Sequence, residues 1–75
     1  MILAHRIANA VLRGKTVTSD HSLGFYVGAA HGWGDYVLAT PHLVYRRGSP
    51  GSVAAEFVRV VGNGAAKRAL AKVTS

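Results

Sequence analysis

Seventy-five residues suffice for one small domain and leave no room for a second core. The composition, 49% hydrophobic and 16% charged, excludes an intrinsically disordered chain. Nine Lys and Arg against three Asp and Glu leave a net charge of +6, which favours an anionic partner, and the lack of cysteine excludes disulfides and thiolate metal sites.

Residues 2–13 predict a first helix. At 100° per residue, Leu3, Ala4, Ile7, Ala8 and Val11 share one face, while His5, Arg6, Asn9 and Arg13 gather opposite. Gly14 suits the stop. Arg6, Arg13 and Lys15 precede the first acid, Asp20, a pattern also seen in mitochondrial presequences. Ala8-Asn9-Ala10 has the form of a signal-peptide cleavage site, but the apolar run before Arg6 is too short for its hydrophobic region. A spanning helix needs about 20 apolar residues, and no stretch supplies them.

Residues 15–47 predict strands. Lys15–Ser19 is a short Thr/Val stretch, and Phe25–Ala30 and Asp35–Thr40 carry aromatic and β-branched residues. His31-Gly32-Trp33-Gly34 between them has the length of a hairpin loop. Pro41 breaks the ladder, and a further run, His42–Arg47, ends at Gly48. In such a meander the turn at 31–34 and the end of the run at Arg47 lie at the same end of the sheet.

Glu56–Val61 has strand propensity, but Val53, Ala54, Phe57, Val60 and Val61 repeat at helical spacing. Residues 50–61 therefore predict a helix, with Ser49 or Ser52 as cap and Pro50 in the first turn. Continuing that wheel would bury Arg68 and Lys72. A new helix after Gly62-Asn63-Gly64 instead aligns Ala65, Ala66, Ala69, Leu70 and Val73. The expectation is a single α+β domain over 1–75: an N-terminal helix, about three antiparallel strands, a C-terminal helix and a short terminal helix. The α-β-β-β-α part is similar in element order to double-stranded-RNA-binding domains. The second helix departs from that pattern, because Val53-Ala54-Ala55-Glu56 lacks the lysine-rich start.

Catalytic constellations are sparse. Ser22 lies near Asp20 and His21, but sequence neighbours diverge along an extended chain, and no nucleophile-elbow motif is present. Asp20, Asp35 and Glu56 are the only carboxylates, and no pair among His5, His21, His31 and His42 is favoured by spacing. His31 and Asp35 are four apart but in a turn rather than on a helix, and the adjacent Asp20 and His21 are a poor metal-chelating arrangement. Gly14-Lys15-Thr16 follows a helix rather than a strand, unlike a phosphate loop. No enzyme activity, cofactor or metal is expected.

The basic and aromatic groups carry more information. Tyr45-Arg46-Arg47 closes the last strand with charges toward both faces, His31 and Trp33 occupy the hairpin tip, and Lys67, Arg68 and Lys72 lie along one side of the terminal helix. Binders of nucleic acid combine positive charge with planar side chains. The candidate binding residues are therefore His31, Trp33, Arg46, Arg47, Lys67, Arg68 and Lys72. The leading expectation is a small, basic, non-enzymatic binding module for RNA or DNA in the cytoplasm, with the mitochondrial matrix as the other compartment. The alternatives are a virus- or mobile-element-encoded inhibitor that docks on and occludes a larger protein complex, and a structural subunit of an assembly; the partner is then an acidic protein surface in place of nucleic acid. The oligomeric state is left open.

Overall fold

The computed structural model describes residues 2–30, 32 and 34–74. The order is α1 (Ile2–Leu12), β1 (Val17–Thr18), β2 (Tyr26–Ala30), β3 (Asp35–Thr40), β4 (Leu43–Gly48), α2 (Pro50–Val61) and α3 (Asn63–Thr74). The α+β class is as expected, but the sheet has four antiparallel strands in the order β1-β2-β3-β4, not about three. The extra strand is the Thr/Val stretch, which pairs through Val17↔Val27 and Thr18↔Tyr26. It runs so close to β2 that a Cβ on Gly28 would meet the Thr16 hydroxyl at 3.0 Å. Only glycine leaves that approach free of contact.

The helices cover one face of the sheet. Val17, Val27 and Leu38 point into the same core as Ile7, Val11, Val53, Phe57, Ala66 and Leu70. The apolar stripe of α1 packs inward as its periodicity dictates, with Ala4, Ile7, Ala8 and Val11 buried. In α2 the buried residues are Val53, Ala54, Phe57 and Val58, while Val60 and Val61 are half-buried. The buried arc is thus rotated toward Val58 relative to the expected stripe.

Ser49 caps α2, its Oγ accepting from the Ser52 N–H at 3.3 Å, and Pro50 occupies the first turn. The interruption after α2 is a single residue, Gly62, rather than the three expected. Its φ of 90° and ψ of 158° redirect the chain, and α3 resumes at Asn63. The terminal helix is twelve residues long and as long as α2, not short. Its buried residues, Ala65, Ala66, Ala69 and Leu70, match the shifted stripe.

The other face of the sheet has no helix against it among the described residues. Ala30, Val37 and Ala39 form a second apolar cluster there with Tyr26, and Thr16 and Val44 complete the walls of a shallow hollow.

Pro41 and His42 turn β3 into β4. The Thr40 hydroxyl accepts from the His42 N–H at 3.4 Å. The ladder starts at Thr40↔Leu43 and Ala39↔Val44, then slips by one residue, so that Leu38 faces Arg46, Val37 faces Arg47 and Tyr36 faces Gly48. This β-bulge has a chemical consequence. Leu38 points to the helices, so Arg46 joins the helix side; Val37 points to the open face, so Arg47 joins that one.

Candidate binding surfaces

Each carboxylate side chain of the chain holds an arginine. Asp20 accepts from Arg68 twice, Asp35 Oδ2 lies 3.5 Å from Arg47 Nε, and Glu56 pairs with Arg59 one turn along α2. Nine cations and three such pairs leave six, and these carry the +6 charge: Arg6, Arg13, Lys15, Arg46, Lys67 and Lys72.

Five of the six belong to α1, to the turn that ends it, or to α3. These two helices pack on each other, and neither contains an acidic residue. Arg6 and Lys67 flank one groove between them, floored by Leu3, Leu70 and Ala71. Arg13 follows Arg6 by seven residues, about two turns, and so continues the same stripe into the turn that ends α1. Lys15 follows directly, where its N–H closes the end of α1 onto the Ala10 carbonyl at 3.1 Å.

The loop from Ser19 to Phe25 presents the acid that α3 holds. Ser19 is buried; its hydroxyl donates to the Phe25 carbonyl at 3.2 Å and accepts from the His21 N–H at 3.2 Å. His21 Nδ1 accepts from the Leu23 N–H at 3.1 Å, and the His21 ring meets Phe25 edge-on. Asp20 is thereby turned toward Arg68. The hydrogen bonds from Arg68, aided by the charges of Arg68 and Lys72, hold its carboxyl below the usual aspartate value against a smaller desolvation penalty. The same bonds raise the Arg68 guanidinium, and those from Glu56 raise Arg59.

The sequence-predicted residues divide as follows. His31 and Trp33 lie outside the described residues. Arg47 sits at the hairpin end of the sheet, where the register places it beside Asp35, and is engaged there. Arg46 lies across the sheet from it, beside α2. Lys67, Arg68 and Lys72 are all exposed on α3, but Arg68 is committed to Asp20 while Lys67 faces α1. Among the described residues, no three His, Asp or Glu side chains gather as a metal site would require.

Two features were missed in sequence. The Arg6 and Arg13 face of α1 was visible, but not that it continues onto Lys67 once α1 and α3 are packed together; the absence of acids before Asp20 and after Glu56 was the available signal. The other is β4 itself, where Leu43, Val44 and Tyr45 are 59%, 46% and 47% exposed. Its place as the last strand of the meander marks it as an edge. No family model, curated protein or solved structure matches the chain. No helix of the described residues is long and apolar enough to cross a membrane.

Proposed function

We propose that the protein is a non-enzymatic binding module for a nucleic acid, RNA or DNA, engaged by the α1–α3 face. The observation that carries this reading is the segregation of charge. The three carboxylates neutralise Arg47, Arg59 and Arg68, and the uncompensated cations concentrate on two adjacent helices without acids. Cations on such a face release the counterions condensed on nucleic-acid phosphates, so affinity falls steeply as salt rises. The Arg6–Lys67 groove supplies two cations from different helices, which suits a backbone of regularly spaced charges better than a single anion.

The test is fluorescence anisotropy with labelled RNA and DNA duplexes and single strands across a salt series. Binding should weaken linearly in log–log form, and Arg6→Ala with Lys67→Ala should reduce the slope by about 1 per cation removed. Absence of binding at low salt to every one of these probes would sink the reading.

A further inference from the structure

The edge at β4 is a different surface, on the opposite side of the sheet from β1 and α3. Every residue from Leu43 to Arg47 is exposed, and no described strand pairs with the outer backbone groups of β4. Edge strands of this length are usually blunted by charge, by proline, by a bulge or by a covering element. Here the bulge and both arginines lie in the second half of the strand, whereas Leu43, Val44 and Tyr45 in the first half are exposed, apolar and without proline or charge. Beside it, α2 leaves a hollow walled by Ala55 and Val58 and rimmed by Arg46 and Arg59. Arg59 is held by Glu56, whereas Arg46 has no carboxylate partner among the described residues.

We propose that β4 is a strand-addition site, which accepts an extended acidic segment of a partner protein as a fifth strand. The backbone ladder supplies the attachment, as in other edge-recognition modes. The side chains supply the selection. Apolar residues of the incoming segment lie along Leu43, Val44 and Tyr45, and a carboxylate reaches Arg46 at the mouth of the hollow. Charge decides the occupant. A second copy of this chain carries +6 of its own and would add another Arg46 without a carboxylate to the same edge. An acidic segment meets the opposite condition.

The experiment titrates the isotope-labelled full chain with a panel of end-blocked peptides of about ten residues, alternating β-branched residues with a carboxylate moved through the positions. Each has a twin in which the carboxylate is an amide and another N-methylated at alternate backbone amides. Shift changes and slowed hydrogen exchange should map to 43–48. Affinity should fall about tenfold or more with the amide twin or with Arg46→Glu, and vanish with N-methylation. Arg46 is exposed, so the variant retains its spectrum elsewhere. Three results would overturn the proposal: no response at β4 to any peptide, responses confined to α1 and α3, or protection of β4 in peptide-free protein that sediments as a dimer. None of these bears on duplex binding by the other face, so the two readings fail separately.

Discussion

Arg68 in α3 grips Asp20 in the loop between β1 and β2 with a two-pronged hydrogen bond, Nε to Oδ2 at 2.8 Å and Nη2 to Oδ1 at 3.2 Å, across 48 positions of sequence. It fastens the last helix to the first hairpin. It also removes Arg68 from the set of cations open to a partner, which leaves Lys67 as the α3 cation that meets α1.

This pair sets an acid limit. Because the folded-state carboxyl of Asp20 lies below its ordinary value, its contribution to stability is present above about pH 4 and is lost as pH falls through the folded value. Denaturant midpoints measured from neutral pH down to strongly acid conditions should fall more for the native chain than for Asp20→Asn. Parallel curves would show that the bond adds nothing to stability.

Phe57 is fully buried at the centre of α2, among side chains from all three helices and the sheet. Phe57→Ala should cost about 3–5 kcal/mol through lost burial and the cavity left behind. A core this small rarely supplies much more than that in total, about 3–5 kcal/mol. Far-ultraviolet circular dichroism at 25 °C should therefore show a largely unfolded variant, and a cooperative melt near that of the native chain would contradict the packing described.

Gly62 combines a positive φ with an extended ψ, a region open to almost no other residue. Gly62→Ala should destabilise by about 1–3 kcal/mol in chemical denaturation. Gly62→Asn should do no better, because asparagine tolerates the left-handed helical region rather than this one. Equal stability of either variant with the native chain would mean that the corner between α2 and α3 relaxes without cost.

The pairing of charges predicts unequal roles for exposed arginines. Arg59→Ala should leave the salt slope of nucleic-acid binding almost unchanged, since Glu56 already neutralises that residue. Arg6→Ala should lower the slope by roughly 1. Equal effects from the two would show that binding follows net charge and not the α1–α3 face.

Much of the architecture was legible from periodicity. The stripes Ala4–Ile7–Ala8–Val11, Val53–Ala54–Phe57 and Ala65–Ala66–Ala69–Leu70 each repeat at helical spacing, and the phase jump between the last two located the corner near Gly62. The brevity of β1 was harder to see, because two residues of strand leave no pattern of their own. The site was less legible than the fold. Which arginines are neutralised depends on Asp35 meeting Arg47 and Asp20 meeting Arg68, contacts made only when distant segments pack. The division of Arg46 from Arg47 depends on a register slip opposite Leu38 and Ala39, and a strand carries no local mark of how its neighbour is aligned.

That slip sets six residues of β4, 43–48, against five of β3, 36–40, and Tyr45 is the one without a partner. Deleting Tyr45 would therefore close the bulge and still leave Arg46 opposite Leu38 and Arg47 opposite Val37. Straightening the ladder with Tyr45 kept would exchange the two arginines: Arg46 would face Val37 and the uncovered side, and Arg47 would face Tyr36 and the helices, away from Asp35. The tyrosine is the spacer that sorts the two charges onto opposite faces.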